Sequence, residues 1–360
     1  MPAARLLALD GLRAIAVSLV LLQHGLSPTA PADVAFRPLE TGSLGVRLFF
    51  VLSGFLITGI LVNARSDAER AGSSRRRVLA AFYARRSLRI LPLAYLALLV
   101  AWIVDDASMR RYPEWYLTYT SNILDAQVGW HGVMGHFWTL AVEEQFYLLW
   151  PWVALFAPRT WLVPVLMCAA ATAGVIRGVM AGQDEWIAAY VLLWTRGDAL
   201  ACGALLALKP NLRASALATA GALIVVAGNV TRGAAHAMLS EWGMILLSAA
   251  VILSAVKGRA AALLSWRPFV ALGTISYGVY VWHPLIPKIV EFIEARTDVA
   301  LGIPVEHGWG WLGYVAPGAL LLAMLSWFLF EKPLNDFRSR IPYVRAPADA
   351  GKLAPLQPAP

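Results

Sequence analysis

Ten apolar stretches decide what this chain can become. Each runs about 17 to 25 residues, the length an α-helix needs to cross a hydrocarbon core. They lie near 11–28, 44–63, 88–105, 136–157, 161–181, 186–208, 215–230, 239–256, 267–294 and 309–330. The seventh is short, and Pro284 and Pro287 interrupt the ninth. Soluble domains rarely exceed about 50% apolar and about 25% charged residues, whereas this chain is 59% hydrophobic and 14% charged. The expected fold is therefore all-α, a polytopic integral membrane protein of about ten transmembrane helices. No small-residue cleavage site closes the first stretch and further spans follow at once, so no cleavable signal peptide is expected.

Lysine and arginine set the expected orientation, because they concentrate in cytoplasmic loops. With the N-terminus inside, 21 of the thirty fall on the cytoplasmic side, 7 outside, and Arg177 and Arg196 within spans. Arg37 and Arg47 are among the outer seven. That split predicts both termini inside, with the protein in the cytoplasmic membrane. It also accounts for the net charge of +8 without a nucleic-acid partner. Residues 1–332 read as one transmembrane domain, and 333–360 as a Pro-rich cytoplasmic tail, expected to be disordered. Cys168 and Cys202 fall in apolar runs and suit neither a disulfide framework nor a metal site. The longest outer loop, 106–135, holds Trp115, Tyr116, Tyr119 and Trp130. These aromatics mark the membrane interface or stack on a sugar ring.

Ionisable residues inside a span are costly and are usually kept for function. The first span carries Arg13 and His24, eleven residues apart, which is three helical turns plus about 20° and a rise of roughly 16 Å. Both thus share one helix face. A neutral imidazole on a polar cavity serves as general base or as nucleophile; otherwise His24 packs against a neighbouring helix. Before span three, Arg85, Arg86 and Arg89 share a face through i, i+3 and i, i+4 spacing. Their forked guanidiniums suit phosphate oxygens, or they are plain topology signals. The fourth span holds Glu143 and Glu144 about 100° apart on a helix, so at least one must reach a cavity or a cation. Glu143 is placed to orient a histidine ring, or to pair with Arg177 or Arg196. Arg196 and Asp198 read as a buried structural pair around Gly197. His283 is buried in the ninth span ahead of Pro284, whose missing N–H leaves a carbonyl free and kinks the helix. Glu331 and Lys332 cap the inner end of span ten.

Six motifs in these spans together resemble the membrane-bound acyltransferase family 3: LDGLRAIAVSLVLLQH, FFVLSGFLIT, FYARRSLRILP, FWTLAVEEQFYLLWP, SYGVYVWHP and FEKP. The resemblance runs from Leu9 to Pro333. It implies a membrane O-acyltransferase that moves an acyl group, acetyl foremost, from acyl-CoA to a hydroxyl of a glycan, glycolipid or glycosylated natural product. It further implies Arg13, His24 and Glu143 as catalytic and Arg86 and Arg89 as donor-binding, with Arg85 expected to join them from the same basic face. Asp10, Ser53, His283 and Glu331 would support them, with no metal involved. Thr139 stands where the family motif usually has Ser. The alternative from the residues alone is a transporter or flippase of a glycolipid or organic acid, in which the same polar side chains line a pathway.

Overall fold

A computed structural model of the protein describes residues 3–26, 41–209, 211–258, 260–297 and 308–344. Three long helices come first, α1 (Ala3–Leu26), α2 (Thr41–Arg70) and α3 (Arg75–Ile103). Three short ones, α4 (Ala107–Arg111), α5 (Pro113–Leu117) and α6 (Ser121–Val128), and a 3-10 turn (Val133–Phe137) lead into α7 (Trp138–Phe156). Next come α8 (Arg159–Gly182), α9 (Trp186–Val191), α10 (Leu193–Leu208), α11 (Ala214–Asn229) and α12 (Gly233–Val256). The chain closes with α13 (Ala261–Leu264), α14 (Arg267–Trp282), α15 (Leu285–Thr297), α16 (Trp309–Ser326), a π turn (Trp327–Glu331) and α17 (Lys332–Ser339).

The described residues contain no strand, and all ten expected spans fall on helices. Seven helices are long and apolar enough to cross a membrane, eight if α14 and α15 form one bent span. The remaining two expected spans are α7, of 19 residues, and α11, of 16. The protein is thus an all-α polytopic membrane protein. Of the cations that set the orientation, Arg37, Arg259, Arg345 and Lys352 lie outside the described residues, as does the tail from residue 345. The start of the tail differs from expectation. Residues 332–339 are helical, and Arg85 Nη1 donates to the carbonyls of Arg338 at 3.0 Å and Ile341 at 2.8 Å. A polar, proline-containing composition conceals a one-helix segment that a distant arginine ties down.

Small residues let the helices meet backbone to backbone, as membrane packing favours. A side chain at Gly54 would strike the carbonyl of Leu200, and one at Gly203 that of Val51, so α2 and α10 are locked at their crossing. Gly273 does the same for α14 against the Asp10 carbonyl of α1.

Beside the α2–α10 crossing lies an ionic core with essentially no solvent exposure. Arg47 of α2 forks onto Glu241 of α12, Nε to Oε1 at 2.9 Å and Nη2 to Oε2 at 2.8 Å. Arg196 of α10 reaches the same carboxylate at 2.7 Å. Arg177 of α8 pairs with Asp198 at 2.8 Å and donates to the Thr195 carbonyl. Two expectations change here. Arg47 is fully buried rather than facing the outer surface. Arg196 and Asp198 do not pair with each other, because positions two apart project to different sides of a helix.

Candidate active site

α1, α2, α3, α7 and α14 enclose a cavity of about 380 Å³. It gathers Asp10 and Arg13 from α1, Ser53 from α2, Arg86 and Arg89 from α3 and Glu143 from α7. Six of the ten residues singled out from the sequence therefore meet in one space, although they come from four helices. Most of the remaining wall is aliphatic or aromatic, with Thr139, Ser276, Tyr277 and Tyr280 adding hydroxyls.

Local contacts hold each of these groups. Arg13 bonds Asp10 one turn earlier on α1. Ser53 Oγ donates to Glu143 Oε1 at 2.5 Å. Glu143 thus meets neither a histidine nor Arg177 or Arg196, whose carboxylates are Asp198 and Glu241. The Arg86 guanidinium lies over the Tyr147 ring, 3.9 Å from its centroid, while its buried Nε has no hydrogen-bond partner. Glu143 and Glu144 both attract Arg86. The wall itself carries three guanidiniums and two carboxylates. Tyr277 fixes α14 to α3 by donating to the Ile90 carbonyl at 2.8 Å.

The other four residues lie off the cavity wall. Arg85, though it shares a sequence face with Arg89, turns to the carbonyls near α17 and stacks on Tyr343. Glu331 is brought inward by the π turn, where its Oε1 accepts from Ser326 Oγ at 3.1 Å beside Gly278. His24 and His283 sit past Tyr280. That tyrosine lines the cavity with its ring against His136 (5.2 Å) and His283 (5.8 Å), and its hydroxyl meets Thr139 Oγ1 at 2.6 Å. His24 Nδ1 lies 2.7 Å from His283 Nε2. Arg13 and His24 are thus at successive levels of α1, the first on the cavity and the second in a histidine cluster beyond it.

Sequence reading passed over His136, Tyr277 and Tyr280. Each had a signal: His136 directly precedes the FWTLAVEEQFYLLWP motif, and both tyrosines lie in SYGVYVWHP. No metal-binding group of histidine, cysteine or carboxylate is present among the described residues.

Outside the spans, the 106–135 segment packs on itself. Asp106 caps α4 through Met109 N at 3.0 Å and accepts from Val133 N at 3.3 Å. Tyr116 is buried and Trp130 remains exposed against Trp138 and Tyr190. Asp125 is fully buried with no hydrogen bond to either carboxylate oxygen. The nearest cation candidate, His131 Nδ1 at 3.4 Å, directs its hydrogen to the Gly129 carbonyl instead. Burial pushes the Asp125 carboxyl up to about 8.

Residues 6–331 match the family described as Acyltransferase domain. YrhL of Bacillus subtilis (strain 168) is 31% identical, covering 92% of this chain and 55% of the relative. Peptidoglycan O-acetyltransferase OatA of Listeria monocytogenes serovar 1/2a is 26% identical over 91% of this chain and 55% of the relative. Nodulation protein 10 of Rhizobium leguminosarum bv. viciae is 27% identical over 82% of this chain and 83% of the relative. The chain spans about half the length of the first two. No solved structure matches it.

Proposed function

Because the chain belongs to acyltransferase family 3, we propose that it is an O-acyltransferase of the cytoplasmic membrane, with both termini inside. It takes an acyl group, acetyl foremost, from acyl-CoA and places it on a hydroxyl of a carbohydrate-containing acceptor. The observation that carries this reading is the convergence of Asp10, Arg13, Ser53, Arg86, Arg89 and Glu143 on one cavity. The acceptor class follows the name of the similar Listeria protein, a peptidoglycan O-acetyltransferase.

The wall suits the donor. The three guanidiniums on the wall and the unpartnered Nε of Arg86 suit an anion, and guanidinium forks match phosphate oxygens. A space of about 380 Å³ is at the small end of ligand pockets, which run from about 300 to about 1,000 Å³. It suits a slender thioester arm with a short acyl group better than a whole nucleotide. Arg86 and Arg89 would hold the phosphates, together with Arg13, which Asp10 keeps in place. Glu143, braced by Ser53, keeps Arg86 from being an isolated buried cation.

His24 acts as the general base. Its imidazole takes the proton of the acceptor hydroxyl as the oxygen bonds to the acyl carbon and the carbon–sulfur bond breaks. The proton then passes to the sulfur, which leaves as the free thiol. General-base catalysis contributes about 10²–10⁴-fold. Purified protein in proteoliposomes, given labelled acetyl-CoA and a soluble glycan acceptor, should lose at least about 100-fold in transfer rate with His24→Ala. Undiminished transfer would remove His24 from the reaction.

A further inference from the structure

Beyond the cavity, His24 Nδ1 meets His283 Nε2, and His283 Nδ1 meets the Tyr280 carbonyl. In an unbroken helix the Tyr280 carbonyl would accept from the backbone N–H of residue 284. That residue is proline and has none. The helix breaks there, α15 leaving α14 at a bend of 55°. His283 Nδ1 occupies the vacated position, 2.8 Å from the Tyr280 carbonyl oxygen. A carbonyl oxygen can only accept, so the hydrogen of this bond belongs to Nδ1.

A neutral imidazole carries a single N–H. His283 is fully buried, and no carboxylate among the described residues contacts it. A second proton would place an unpaired charge in a solvent-free site. Its Nε2 therefore offers a lone pair. The two rings lie within 17° of parallel with centroids 5.0 Å apart. Together with a nitrogen–nitrogen distance of 2.7 Å, this describes two nearly coplanar rings meeting edge to edge rather than face over face. In that geometry His24 Nδ1 carries the hydrogen and His283 Nε2 accepts it.

We propose that His283 is a positioning residue that fixes the His24 proton on Nδ1 and so makes Nε2 the basic nitrogen. Pro284 is the origin of the chain of assignments, since it frees the carbonyl that orients His283. His136 supports the arrangement sterically, its ring edge-on to His283 at 5.4 Å and 65°. Its own Nδ1 is engaged by the Val133 carbonyl at 3.1 Å. Such partners of a catalytic histidine act by selecting its tautomer and ring orientation. This inference rests on the reading of His24 as the base.

The test replaces the acceptor and then restores it. Glutamine carries its Oε1 the same number of bonds from Cα as histidine carries Nε2, so His283→Gln keeps an acceptor for His24. His283→Phe keeps the bulk and removes it. The expected result is a loss of at least about 100-fold in kcat for His283→Phe with donor KM changed less than about threefold, and recovery to within about tenfold in His283→Gln. Equal losses in both variants, or none in either, would overturn the assignment. Should His283→Phe fail to fold, ¹⁵N spectra of histidine-labelled wild-type protein decide the matter, with the His24 signals identified from His24→Ala. A hydrogen on Nδ1 of His24 supports the proposal, and one on Nε2 refutes it. An active His24→Ala would instead defeat the general-base reading itself. An inactive His24→Ala beside a fully active His283→Phe would defeat only this inference.

Discussion

Glu241→Gln is the sharpest test of what holds the cavity walls in register. In the wild type one carboxylate takes three contacts, at 2.9 and 2.8 Å from Arg47 and 2.7 Å from Arg196, with no exposure on any partner. At an effective dielectric of about 20, unit charges at this separation attract by about 6 kcal/mol. Desolvation offsets much of that. Removing one partner of a buried pair nonetheless costs about 3–5 kcal/mol, because the other is left charged and uncompensated. Glutamine preserves shape and one acceptor, so the loss isolates the charge. With an unfolding entropy of about 2.1 cal/mol/K per residue, a chain of 360 residues should lose at least about 4 °C in Tm. Thermal unfolding of the purified protein in detergent, followed by tryptophan fluorescence, measures it. The double variant with Arg196→Gln completes a cycle. Arg196→Gln should cost less in the Glu241→Gln background than alone, since it removes a cation already stranded. A Tm within about 1 °C of wild type, or strictly additive effects, would show that this network does not hold α2 against α10 and α12.

Two further outcomes are expected. Arg86→Ala and Arg89→Ala should each raise the donor KM by about tenfold or more, the worth of a charged hydrogen bond, whereas Arg85→Ala should leave it within about twofold because that side chain serves the carbonyls of Arg338 and Ile341. Equal effects in steady-state assays of all three would contradict the division. Asp125 gives a pH signature: its carboxyl titrates near 8 in the folded protein against 3.8 in the free chain, so the native state keeps a proton that the unfolded chain loses between those values. The stabilisation is complete below about 4 and is lost as pH rises through 8, amounting to several kcal/mol at most. The wild-type Tm should therefore fall from pH 5 to 9 relative to Asp125→Asn, and parallel curves would refute the burial argument.

Much of this was readable from the residues alone, for physical reasons. Length and hydropathy are local properties, so all ten apolar stretches lie on helices. The cost of charge in hydrocarbon is also local, and it marked Arg13, Arg86, Arg89 and Glu143, which the fold then brings to one cavity. Partners are not local. Glu143 pairs with Ser53, ninety positions away, and Glu241 serves Arg47 and Arg196 from two other helices. Nothing in the spacing of Arg196 and Asp198 says that each belongs to a different ion pair. Helical periodicity likewise grouped Arg85 with Arg89, because it could not anticipate the acceptors offered by the end of α17. The kink at Pro284 was legible. That its freed carbonyl sets the protonation of two rings required coordinates.

The glycine contacts have a mechanical consequence. Where α2 meets α10, and where α14 meets α1, carbonyl oxygens sit in the notches left by absent side chains. Any larger residue at Gly54, Gly203 or Gly273 would push its pair of helices apart. The third helix packs through Ala94, Ala97 and Ala101 and adds the long reaches of Tyr83 to Leu148, Arg85 to Ile341 and Tyr277 to Ile90. The chamber that holds Arg13, Arg86 and Arg89 is thus framed on two sides by helices whose spacing the absent side chains set.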